Sequence, residues 1–153
     1  MRLMEIMTTD VQTVRPEISA DQALQQMHTH DIHHLVVMDG SRVLGVLSER
    51  DLGGPRGTAL RRGRSVAELM TIQPLTASPT TTVRQAANLL RARSIGCLPV
   101  LDAGRLVGIV TLTDMLELLG RGVQLSPSVS SRYTPAHGSK WKPVRRLARP
   151  ERP

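Results

Sequence analysis

Along the first 120 residues, apolar positions follow a pattern that occurs twice. Ala20, Ala23, Leu24 and Met27 recur at helical spacing, as do Val83, Ala86, Ala87 and Leu90. Each set follows a hydroxyl residue with Gln three places on, Ser19 with Gln22 and Thr82 with Gln85, which predicts a capping box at each helix start. Behind each helix comes a β-branched run, Leu35-Val36-Val37-Met38 or Leu98-Pro99-Val100-Leu101, closed by Asp39-Gly40 or Asp102-Ala103-Gly104. A second run follows, Val43 to Leu47 or Leu106 to Val110, so each pair of runs predicts a β-hairpin. Short strands are expected around Thr13-Val14 and Thr76-Ala77, and a new helix at Ser48 and at Thr111. The repeating unit is strand, helix, hairpin, helix.

The two units are copies in sequence as well as in pattern. Displacing the chain by 63 residues lays Met7-Thr8 on Met70-Thr71, Gln22-Ala23 on Gln85-Ala86 and Ile32 on Ile95 without a gap. In the same register Asp39 meets Asp102, Gly45 meets Gly108 and Asp51 meets Asp114. The copies part company after the hairpin. Met115, Leu116, Leu118 and Leu119 carry the second helix on to Gly120, whereas Gly53-Gly54-Pro55 stop the first almost at once. The expected division is a first repeat over residues 1–58, a Gly/Arg-rich connector over 59–65, a second repeat over 66–120 and a tail over 121–153.

Charge and aromatic content separate the tail from the rest. From Arg121 onward eight basic residues face one acid, Glu151, so the whole net charge of +7 resides there. The chain has no Phe, and Tyr133 and Trp141 both fall in the tail, leaving an aliphatic and methionine core for the repeats. No apolar run approaches a membrane span, and Glu5 interrupts the N-terminal apolar stretch, so a cytoplasmic protein is expected. With Cys97 alone, neither an intramolecular disulfide nor a cysteine zinc site can form. The proline-rich, aperiodic tail is expected to be disordered, and Lys140, Lys142, Arg145 and Arg146 around Trp141 would suit weak contact with nucleic acid or an acidic surface.

The sequence resembles the cystathionine-β-synthase (CBS) domain family, and in particular a tandem CBS pair, or Bateman module. The residues that carry the resemblance are Ile32 to Asp39 with Gly45 to Asp51, and Ile95 to Asp102 with Gly108 to Asp114. The resemblance implies an α+β fold of two β-α-β-β-α units packed with pseudo-twofold symmetry. It further implies clefts between them that take AMP, ADP, ATP, S-adenosylmethionine or NAD, a homodimer, and a regulated partner protein of unknown identity. It implies no catalytic activity and no required cofactor.

Candidate site residues follow from the motifs. Gly45-x-x-Ser48-x-x-Asp51 and Gly108-x-x-Thr111-x-x-Asp114 each place a hydroxyl and a carboxylate at a helix start behind a strand. That arrangement suits a ribose and phosphate, and it is equally a capping pattern worth about 1 kcal/mol without any ligand. The resemblance assigns Asp51 and Asp114 to ribose hydroxyls, with Thr113 beside the second motif and Thr13 and Thr76 near base or sugar. It assigns His33 and His34 to phosphates; Arg50, inside the first motif, adds a further basic group, or is a solvated arginine on the helix face, and all three occur in the first copy only. Val11, Val46 and Ile109 could supply apolar walls for adenine. His28, His30, His33 and His34 do not share a face, and no carboxylate is expected close enough to complete a metal set. Cys97 is expected to be buried and inert. Two alternatives stay open: a nucleic-acid-associated protein that uses its basic tail and dimerises through the repeats, and an interaction scaffold with empty clefts.

Overall fold

The computed structural model describes residues 1–122, so the expectations for the tail from residue 123 onward lie outside the described residues. The fold is mixed α+β, as expected from the repeat. In the first copy β1 (Thr13–Val14) precedes α1 (Ala20–Thr29), and β2 (His34–Asp39) pairs antiparallel with β3 (Arg42–Ser48). In the second, α4 (Val83–Arg93) precedes the hairpin of β5 (Cys97–Asp102) and β6 (Arg105–Thr111), followed by α5 (Leu112–Gly120).

Local chemistry sets these boundaries. Ser19 Oγ accepts from the Gln22 N–H at 3.2 Å and Thr82 Oγ1 from the Gln85 N–H at 3.2 Å, so both capping boxes form. Both helices end at equivalent residues in left-handed backbone, Asp31 (φ 51°) and Ser94 (φ 51°). The second hairpin closes on Ala103 and Gly104, both at positive φ, as a tight two-residue turn of primed type requires. Each hairpin also carries a bulge at the same place, after Val37 and after Val100.

The repeats exchange their leading segments. Leu3, at the start of the first copy, is fully buried with Leu98, Val100 and Val110 of the second. Val66, which opens α3 (Val66–Leu69) at the start of the second copy, is fully buried with Leu35, Val37 and Leu47 of the first. Backbone pairing follows the same exchange: Thr8 bridges Ile109, and β4 (Thr71–Ile72) adds to the edge of β3. Each hydrophobic core therefore draws on both copies. One sheet runs β1-β2-β3-β4, and the equivalent edges of β5-β6 are single bridges, Thr8 to Ile109 and Ala77 to Val100. The strand expected at Thr76-Ala77 is thus reduced to that one bridge.

A third apolar cluster joins the copies: Val36, Cys97 and Ile109 are buried, with Val11, Met38, Val43, Val46 and Leu106 around them. Gly45 and Gly108 are fixed by the exchange. A Cβ on Gly45 would lie 2.5 Å from the Thr71 carbonyl, and one on Gly108 would lie 2.6 Å from Met7 Sδ.

The connector differs from a solvated linker. After β3 come turns, then a 3-10 turn at Gly54–Arg56 and the single-turn α2 (Thr58–Arg61). Arg61 is buried, donating from Nε to Asp21 Oδ1 (2.8 Å) and from NH1 to the carbonyls of Leu52 (2.8 Å) and Gly54 (2.6 Å). It anchors the segment that replaces the longer helix of the second copy.

Candidate functional site

Three chain segments meet around a cavity of about 200 Å³ between the repeats. The exchanged segment crosses it with Thr8, Asp10, Val11 and Gln12. The turn between α1 and β2 contributes Asp31, Ile32 and His33, and the first residue of β2 contributes His34. The second copy closes it with Ile109 and Thr111 at the end of β6 and with Thr113 and Asp114 in the first turn of α5. The bulge and hairpin register of the second copy place that turn beside Gly96 of the α4–β5 link, whose carbonyl accepts from the Leu112 N–H at 2.9 Å.

The chemistry of Asp114 is divided between its two oxygens. Oδ2 accepts from the Thr111 N–H (2.6 Å) and the Thr111 hydroxyl (2.9 Å), while the Asp114 N–H donates to Thr111 Oγ1 (3.3 Å). Oδ1 makes no hydrogen bond among the described residues and remains available to a hydroxyl donor. Capping and ligand binding are therefore compatible here, because they use different oxygens. Asp51 repeats the cap, with Oδ2 accepting from the Ser48 N–H (2.8 Å) and the Asp51 N–H donating to Ser48 Oγ (3.0 Å).

The histidines occupy different settings. His33 Nδ1–H donates to Glu49 Oε2 at 2.7 Å, and His28 Nε2 lies 3.5 Å from Glu49 Oε1. A carboxylate does therefore stand between two imidazoles, which spacing along the sequence did not suggest. The His33 hydrogen bond, reinforced by His28 and opposed by slight desolvation, holds the Glu49 carboxyl below its ordinary range. His34 faces Gly96, where a Cβ would lie 2.6 Å from the ring Nε2. Burial first, and His33 second, lower the His34 pKa, with the Asp51 carboxylate opposing. Burial, with Asp51 secondary, pushes the Cys97 thiol up to about 12, in keeping with an inert buried cysteine.

The cavity brings together His33, His34, Thr111, Thr113 and Asp114 with the anticipated walls Val11 and Ile109. Ser48, Arg50 and Asp51 do not line it, and Arg50 is exposed on the first copy's motif. Gly45 and Gly108 are packed against the exchanged segments. Thr13 lies on β1 beside a separate depression with Met38 and Asp39, and Thr76 is an exposed residue next to the Ala77 bridge. Thr8, Asp10, Gln12, Asp31 and Ile32 line the cavity without having been anticipated as site residues. Among the described residues no helix is long and apolar enough to cross a membrane, and no His, Cys, Asp and Glu group is arranged to hold a metal ion.

Comparison with known proteins agrees with this architecture. A family profile described as the CBS domain matches residues 3–52 and 66–121. A CBS domain-containing protein of Dictyostelium discoideum is 32% identical over 139 residues, spanning 82% of this chain and 96% of that protein. The CBS domain-containing protein YhcV of Bacillus subtilis is 30% identical over 112 residues, spanning 72% of this chain and 80% of YhcV. Among solved structures, the CBS domain pair of protein MJ0100 in complex with 5′-methylthioadenosine and S-adenosyl-L-methionine is similar with a TM-score of 0.73 and 26% identity, over 79% of this chain and 97% of that one. The structure of CBSX2 in complex with AMP is similar with a TM-score of 0.68 and 30% identity, over 78% of this chain and 96% of that one.

Proposed function

Because the chain belongs to the CBS domain family, we propose that it is a non-catalytic regulatory module that binds an adenosine-containing ligand between its repeats and passes the bound state to a partner protein. The observation that carries this reading is the cavity at Asp114. A carboxylate oxygen left over from the helix cap stands with the hydroxyls of Thr111 and Thr113 beside the apolar walls Val11 and Ile109. Carboxylate and hydroxyls suit ribose, and the aliphatic walls suit a purine. The ligands of MJ0100 and CBSX2 are adenosine compounds, which supports the same class here. Asp51 and Ser48 would serve an equivalent place on the first copy, with Arg50 in the position that Thr113 holds on the second.

A homodimer forms part of this reading. Leu112, Leu116 and Leu119 lie on one stripe of α5 and are each at least half exposed, at 52%, 60% and 53%. Such a stripe on a short helix supports pairing with a second copy. The experiment that tests the binding function is a thermal-shift panel of adenosine compounds on the full chain. A ligand at 100 times its Kd stabilises the folded state by about 2.7 kcal/mol, and Asp114→Asn should abolish the part of the shift due to this cavity. No shift with any adenosine compound would refute the reading.

A further inference from the structure

We infer that the Asp114 cavity selects an adenosine ligand whose 5′ substituent is neutral or cationic, a thioether or sulfonium nucleoside, and discriminates against nucleoside phosphates. This rests on the nucleoside-binding reading above and narrows it.

Three carboxylates, Asp10, Asp31 and Asp114, line the cavity, and among the described residues no Lys or Arg lines it. None of the three acids forms an ion pair among the described residues, whose ion pairs involve Glu17, Asp21, Glu49 and Glu117. The two histidines carry no fixed positive charge to set against them. His33 has its Nδ1–H committed to Glu49, and His34 is partly buried against Gly96, in a setting that favours the neutral ring. Asp10 and Asp31 are exposed and Asp114 is half-buried, so the three carboxylates repel an incoming phosphate and attract a sulfonium through a field that salt screens.

The α5 N-terminus is also largely used up. A helix start ordinarily offers unpaired N–H groups to a phosphate. Here the Leu112 N–H is taken by the Gly96 carbonyl at 2.9 Å and the Asp114 N–H by Thr111 Oγ1 at 3.3 Å. The Thr111 N–H is taken by the Asp114 carboxylate itself. Two of the three acids are peculiar to this cavity, since 63 residues on Asp10 becomes Gln73 and Asp31 becomes Ser94, while Thr113 corresponds to Arg50 of the first copy. A phosphate-bearing ligand is thus better matched to the Arg50 side of the molecule.

Isothermal calorimetry of the full chain, at pH 7.5 and without divalent metal, tests this with adenosine, 5′-methylthioadenosine, S-adenosylmethionine, AMP and ATP. The affinity to be compared is the component that Asp114→Ala removes. S-adenosylmethionine or 5′-methylthioadenosine should exceed AMP by at least tenfold and ATP by more, and the gap should narrow as salt rises. In the double variant Asp10→Asn, Asp31→Asn, the ratio of 5′-methylthioadenosine to AMP affinity should fall at least fivefold. AMP or ATP binding at this site as tightly as the thioether nucleoside overturns the charge selection while leaving nucleoside binding intact. An unchanged ratio in the double variant overturns it too. Failure of all five compounds to bind overturns the underlying function and this inference with it.

Discussion

His34 Nε2 occupies the place where a side chain on Gly96 would begin, 2.6 Å from the position of a Cβ there. The two residues belong to different repeats, so glycine at 96 is what lets the imidazole of the first copy lie against the second. Gly96→Ala should keep the fold, at a cost of about 1–2 kcal/mol for local overpacking, and push the ring outward. His34 should then titrate closer to the ordinary value of 6.5 than it does in the wild type. NMR titration of the histidine ring protons checks this, and an unmoved His34 curve would show that the ring does not depend on Gly96.

The same burial makes stability depend on pH. The His34 pKa is lowered in the folded chain, so the unfolded chain binds the proton more readily. Stability should therefore be full above 6.5 and decline as pH falls from 6.5 through the folded pKa. Urea midpoints measured between pH 8 and pH 5 should fall toward acid, and His34→Asn should flatten that decline. An equal decline in the variant would assign the effect to other groups.

Arg61 offers a sharper stability test, because its partners differ in exposure. The guanidinium is buried while Asp21 is largely exposed, with side-chain exposures of 6% and 62%. Arg61→Met removes the donor to the Leu52 and Gly54 carbonyls and should cost about 2–4 kcal/mol, from acceptors left without a partner. Asp21→Asn should cost under about 1 kcal/mol, as for an exposed ion pair. Equal losses in denaturant unfolding would mean that the ion pair, and not the carbonyl anchoring, holds the connector.

The legible parts of this fold were those governed by neighbours in sequence. Ser19 with Gln22 and Thr82 with Gln85 act over three residues, and the tight turn at Ala103-Gly104 over two, so pattern alone located them. Arg61 was not legible, since an arginine among Gly and Arg resembles solvated linker until Asp21 and two carbonyls surround it. The meeting of His33 with Glu49 spans the whole hairpin and needed the β2–β3 register. At the candidate site, Thr111 and Asp114 were visible as a motif, whereas Asp10 and Asp31 enter the cavity only through the crossing segment and a left-handed residue after α1.

If α5 pairs with a second copy, its exposed leucines are the contact. Wild-type protein should sediment as a dimer, and Leu116→Glu, which places a charge at the centre of the stripe, should sediment as a monomer with an unchanged circular dichroism spectrum. A wild-type monomer, or a variant that remains dimeric, would place the interface elsewhere or remove it.

The exchange of leading segments gives opposite outcomes for two equivalent residues. Leu3 and Val66 occupy the same position in the repeat, yet Leu3 is buried with Leu98 and Val110, and Val66 with Leu35 and Leu47. Leu3→Ala should cost about 2–5 kcal/mol. Val66→Ala should cost roughly 1–3 kcal/mol, because it deletes two methyl groups where the leucine change deletes three carbons. Hydrogen exchange then tells which core each residue serves. Leu3→Ala should weaken protection first in β5 and β6, although the residue is nearer in sequence to β1 and β2. Val66→Ala should weaken it first in β2 and β3, although Val66 opens the second copy. Were each copy packed on its own leading segment, the two patterns would be reversed. The shared outcome of the exchange is that neither hairpin can be fully covered without the other copy's first turn, so the cavity between them, crossed by Thr8 to Gln12, forms only when both cores have formed.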